Sequence, residues 1–163
     1  MFHKVIVHTR VMELTLEMKT CLDQSVLCWV ATADNDGRPS VSPKEVFTSD
    51  GERILIAHIA SPKTVRNIRV NPQVMVSVVD VFAQHGWQFS GEASLTWADT
   101  SGFAELVKPL DVITQGLYPI KAVMVVTVGD AQRIVAPSSW LFPDWPKDVV
   151  RQQVLSRYGV RDL

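Results

Sequence analysis

Residues Ser61 to Pro72 read SPKTVRNIRVNP, a helix start that carries Lys63, Arg66 and Arg69 and has no Asp or Glu among its twelve positions. The N-terminus of a helix already holds about half a positive charge, so acids are the usual residues there and cations are mildly unfavourable. Ser61 is a natural N-cap and Pro62 a natural first helical residue, which defines the start sharply. The free N–H groups of that turn, the hydroxyls of Ser61 and Thr64 and the Lys63 ammonium can converge on a phosphate dianion. Each such charge-assisted hydrogen bond contributes on the order of 1.5–3 kcal/mol. The competing reading is a solvated basic face with Ser61 merely capping, and this segment alone does not choose between them.

A second candidate is SPKEVF at 42–47, on an extended run with prolines at 39 and 43. Proline cannot donate to a ladder, so such a strand lies at an edge or leaves backbone groups free for a flat heteroaromatic ring with carbonyl and N–H edges. An ordinary edge strand with Lys44 as a surface charge is the alternative.

Other chemistries are harder to build from these residues. There is no phosphate loop ending in Gly-Lys-Ser/Thr, no G-x-G-x-x-G, no H-E-x-x-H and no G-x-S-x-G. His3, His8, His58 and His85 are scattered without ligand spacing, so no metal site is expected. Cys21 and Cys28 are too few for a disulfide framework and read as reduced core thiols. A net charge of −1 and a pI near 6.4 argue against a protein that neutralises nucleic-acid phosphates. The opening MFHKVIVHTRV has a short apolar run broken by His8 and Arg10, neither signal peptide nor membrane span, so the expectation is a soluble cytoplasmic protein. Met12 would serve equally well as a start, which makes residues 1–11 a possible extension.

The elements that must hold these segments follow from periodicity. A helix is expected over 15–24, with Met18, Cys21, Leu22 and Ser25 on one face and Thr15 as cap. Strand-like runs follow at 26–33, 38–47, 53–60, 73–81, 87–97 and 121–135, with DNDG (34–37) and SDG (49–51) as turns. One helix lies between the third and fourth strands, another near 100–107, and a last one over 146–158 capped by Gly159. Six strands with short turns predict a mainly β single domain, a six-stranded antiparallel barrel with flanking helices, because closure removes apolar edges. Residues 137–163 form a C-terminal loop and helix. Its aromatics Trp140, Phe142 and Trp145 either cover the barrel or a neighbouring subunit, or stack on a ligand.

LCWVATADNDGRPSVSPKEVF, then RILIAHIASPKTVRNIRVNPQVMVSVVDVF, then WQFSGEASL together resemble the pyridoxamine 5′-phosphate oxidase-like family of FMN-binding split barrels, a likeness over about residues 14–135. The resemblance implies a split β-barrel homodimer with FMN at the subunit interface and hydride or electron transfer as the activity. It assigns Lys63 and Thr64, with Ser61 beside them, to the phosphate, and His58 and Ile59 to the phosphate and ribityl chain. Val41, Ser42, Pro43 and Lys44 match the strand lining the isoalloxazine ring, and Trp87 falls near a further flavin contact. Two departures stand out. The chain ends in GVRDL where vitamin B6 oxidases carry an Arg-x-His element, which puts that substrate in doubt, and Lys63-Thr64 stands where they often have Arg-Lys, a loss of one charge at the phosphate that Arg66 one turn on can offset. The alternatives on such a barrel are a flavin carrier without turnover, or a protein binding haem or a deazaflavin instead. No catalytic acid or base is assigned.

Overall fold

The computed structural model describes residues 11–161, so His3, His8 and the possible extension up to residue 10 lie outside the described residues. A first helix, α1 (Leu16–Gln24), leads into β1 (Cys28–Ala33), β2 (Pro39–Lys44), β3 (Phe47–Asp50) and β4 (Arg53–His58). Then come α2 (Pro62–Val70), β5 (Gln73–Asp80), β6 (His85–Trp97), α3 (Phe103–Thr114) and β7 (Ala122–Val135), before the short α4 (Ser138–Leu141) and α5 (Lys147–Tyr158).

The strands form one antiparallel sheet in the order β2-β1-β5-β6-β7-β4-β3, curled into a half-barrel with flanking helices. It has seven strands among the described residues, not the expected six. The run at 38–47 breaks at Glu45 and Val46, so β2 lies at one end of the sheet and β3 at the other. The two edges are therefore joined by a two-residue corner, and the Ala57 N–H donates to the Val46 carbonyl at 2.9 Å to hold it. Local periodicity cannot reveal this switch, because both halves remain extended.

Alternation along each strand fills the interior. Cys28, Val30, Val76, Val78, Phe89, Ile56 and Val126 point inward, and Met18 and Leu22 of α1, with Leu14 just ahead of the helix, pack against them. Thr15 caps α1 as expected, accepting from the Met18 N–H at 3.3 Å. β7 is apolar on both faces because α3 covers its outer side, where Leu55, Ala57, Leu110, Val123 and Val125 form a second cluster. This cluster also explains why α3 runs past Pro109 to Thr114 when a helix near 100–107 was expected. Burial of Leu110 holds the following turn in place despite the lost backbone donor.

β6 bends where its pairing with β7 shifts between Ser90 and Gly91. A Cβ on Gly91 would sit 2.1 Å from the Thr127 carbonyl oxygen, so only glycine permits that close approach. α5 ends at Gly159 in the left-handed conformation, its N–H donating to Ser156 and Leu155 carbonyls. In the preceding loop Trp140, Phe142 and Trp145 stay exposed, with Phe142 and Trp145 stacked at 4.7 Å between centroids, so they do not cover the barrel core.

Candidate functional site

The two segments singled out by their chemistry meet across one cleft. Ser42, Pro43 and Lys44 at the end of β2 and Ile59 and Ser61 between β4 and α2 line a cavity of about 390 Å³, joined by Tyr118 from the α3–β7 loop. β2 pairs only with β1, so its outer side keeps ladder groups available to a ligand. Pro43 cannot pair from its nitrogen, and its ring adds a flat apolar surface.

Lys44 is buried, 7% exposed, and its Nζ donates to the Ser42 hydroxyl at 2.7 Å. Among the described residues it has no carboxylate partner. Burial pushes its pKa below the ordinary ammonium value, offset in part by Cys28, its register partner on β1. The Cys28 thiol is itself driven up to about 12 by burial, so it stays protonated and inert. An ammonium with a single internal acceptor is costly unless something from outside completes its hydrogen bonds.

His58, the last residue of β4, organises the helix start. Its Nδ1 accepts from the Ser61 N–H at 3.4 Å and lies 3.2 Å from the Ser61 hydroxyl oxygen. The expected capping role of the Ser61 side chain is therefore overturned, because the nearer ring nitrogen draws its hydroxyl away. The Lys63 and Thr64 N–H groups in the first turn are left without backbone partners. Thr64 is 3% exposed as a residue, and its hydroxyl, which makes no hydrogen bond within the described chain, is still reached by solvent. Lys63 and Arg66 are exposed on the same turns. Uncapped amides, a hydroxyl free to donate and an adjacent ammonium form a donor set that fits a phosphate.

Part of the competing reading holds for Arg69, whose guanidinium packs 5.0 Å from the Trp97 ring centroid and needs no ligand. Trp97 also meets His58 edge-on at 6.0 Å. Sequence reasoning missed this tryptophan, since only the pairing of Trp97 with Ala122 brings it beside the end of β4. It also missed Asn67, 4% exposed, whose Nδ2 donates to Thr32 Oγ1 at 2.9 Å and fastens α2 to β1. The signal was available: Asn67 falls between Val65 and Ile68 on the inward face of α2.

Five expected site residues do not line the cavity: His58, Lys63 and Thr64 flank the Ser61 turn beside it, and Val41 and Trp87 stand apart. Val41 is 60% exposed on the outer face of β2. Trp87 lies under Arg133, 5.6 Å from its ring, in a separate hollow with Glu17, Asp80 and His85, so one protomer does not bring it to the cleft. Among the described residues no His, Cys, Asp and Glu group gathers as a metal site, and no helix is long and apolar enough to cross a membrane.

His58 makes the fold pH-sensitive in a defined direction. Burial, then the charges of Lys121 and Lys44, hold its pKa below the usual histidine value. The unfolded chain thus binds the proton more readily, so the stability contribution is whole above about pH 6.5 and is lost as pH falls from there toward the lower folded pKa. The thermal midpoint should drop between pH 7 and 5.5 in the wild type and less steeply in His58→Gln. Equal slopes by calorimetry would remove His58 from this role.

The family profile for pyridoxamine 5′-phosphate oxidase matches residues 14–132. The chain belongs to that family. It is 33% identical over 96 residues to an uncharacterised Methanocaldococcus jannaschii protein, MJ0282, across 57% of this chain and 63% of that one. It is 30% identical over 99 residues to the heme oxygenase HutZ of Vibrio cholerae, across 56% of this chain and 55% of HutZ. The match thus spans only about half to two thirds of these relatives' length. A solved FMN-binding protein from Syntrophomonas wolfei superposes with a TM-score of 0.63 at 17% identity, over 73% of this chain and 84% of that one, which establishes a shared fold.

Proposed function

We propose that this chain is a cytoplasmic flavoprotein that binds FMN in the cleft between β2 and the β4–α2 turn and serves as an oxidoreductase for a small molecule. The carrying observation is that the Ser42–Lys44 edge and the Ser61 turn, remote in sequence, line one cavity. Lys63, Thr64 and the amides of their turn would hold the phosphate, and Ser42 and Lys44 would serve the polar edge of the ring. When bound, the flavin would supply hydride or electron transfer, while the chain supplies placement and charge. A buried cation such as Lys44 favours any ligand that gains negative charge beside it.

The reading includes a homodimer. The outer face of β2, β1 and β5 presents Val41, Trp29 and Met75 to solvent, 60%, 43% and 36% exposed, in adjacent registers without a charged neighbour between them. Such a face suits a second copy, and only a second copy would bring Trp87 to the site. Sedimentation at micromolar concentration should show a dimer.

Absorbance of the purified protein tests the cofactor directly. Flavin bands, with FMN retained through gel filtration, support the proposal. A Soret band would instead support haem, the reading favoured by the likeness to HutZ. Saturable oxidation of the reduced protein by a small acceptor separates an enzyme from a carrier.

A further inference from the structure

One wall of the cleft comes from neither of the segments already discussed. Tyr118 lies in the connection from α3 to β7, which is fixed at both ends. At the helix end, Gln115 and Gly116 are both left-handed, with φ of 52° and 70°, and reverse the chain. The Gly116 N–H donates to the Asp111 carbonyl at 3.3 Å, and the Leu117 N–H to the Thr114 carbonyl at 3.0 Å. At the other end the Lys121 N–H donates to the His58 carbonyl at 2.9 Å, which ties the loop to the residue that organises the α2 start. Pro119 follows Tyr118 and disfavours a helical backbone there. The loop is thus a fixed bracket.

On this bracket the Tyr118 side chain is 55% exposed and has no ring or hydrogen-bond partner among the described residues. A large aromatic held on a pinned loop, half in water, contributes little to the fold. Its neighbours around the cavity divide by chemistry: Pro43, Val46 and Ile59 are apolar, whereas Ser42, Lys44 and Ser61 carry donors and Glu45 a carboxylate acceptor. Apolar surfaces with a polar border suit a planar heteroaromatic ring, which has apolar faces and hydrogen-bonding edges.

We propose that Tyr118 is the ring-stacking wall of the cleft, covering one face of a planar heteroaromatic occupant and selecting for it. The inference rests on the flavin reading and adds a determinant of ring recognition to it. Stacking acts on the ring and not on the phosphate, so Tyr118 should serve FMN and riboflavin alike, unlike Lys63.

The test titrates the wild type, Tyr118→Ala and Tyr118→Phe with FMN and with riboflavin, following affinity and the emission of the bound flavin. The alanine variant should lose about tenfold in affinity for both ligands. Its bound flavin should also emit more strongly, because the phenol no longer quenches it by giving an electron to the excited ring. The phenylalanine variant should keep the affinity yet show the stronger emission, since a phenyl ring stacks but donates no electron. Unchanged affinity, a loss confined to FMN, or weaker binding without a change in emission would each overturn the role of Tyr118 while leaving the flavin reading in place. A wild type that binds neither flavin would overturn both.

Discussion

Lys63→Ala is expected to weaken FMN binding by about 10- to 150-fold while riboflavin affinity stays nearly unchanged. The reason is local to the first turn of α2. Ser61 gives its hydroxyl to His58, so no side chain caps the turn, and the Thr64 hydroxyl makes no hydrogen bond within the described chain. Amide dipoles and the Lys63 charge then add at one place, where only a ligand with an anionic end benefits. Lys63 is exposed, so part of its attraction is screened by salt, and the loss should approach the lower bound as ionic strength rises. Fluorescence titration with both ligands in low and high salt reads all of this. An equal loss for FMN and riboflavin would mean that the phosphate lies elsewhere.

Much of this site was legible in the chain because its signals are local. Ser-Pro before a basic helix marks a helix start wherever it occurs, and prolines at 39 and 43 mark an edge. What could not be read depends on partners distant in sequence. The hydroxyl of Ser61 had two possible acceptors or donors nearby, the helix amides and the His58 ring, and only the bend between β4 and α2 decides for the ring. The break at Glu45 and Val46 carries the strand from one sheet edge to the other without any change in local pattern. Trp97 reaches His58, and Tyr118 the cleft, through the pairing of β7 with β4 and the loop that precedes β7. Trp87 shows the limit of carrying a position over by likeness, since its place in the fold is clear and its place in the site needs a second copy.

Lys44 lets the cost of the site be measured apart from its use. Lys44 is 7% exposed with Ser42 as the acceptor of its ammonium, and burial lowers its pKa, so the unfolded chain holds that proton more tightly than the folded one. A methionine of similar volume removes the charge and keeps the packing. Lys44→Met should therefore stabilise the ligand-free protein by about 1 kcal/mol, raising its thermal midpoint by about 2–4 °C. The same change should weaken both FMN and riboflavin by about 10- to 150-fold, because it removes a charge-assisted contact to the ring and not to the phosphate. The gain should also shrink as pH rises and vanish above about 10.4, where the lysine becomes neutral in the unfolded chain too and the wild type no longer carries the penalty. Calorimetry of the ligand-free protein and titration with the two flavins supply the two halves of the test. A variant that loses stability would make Lys44 a structural residue, and one that keeps its flavin affinity would take the ring edge away from β2.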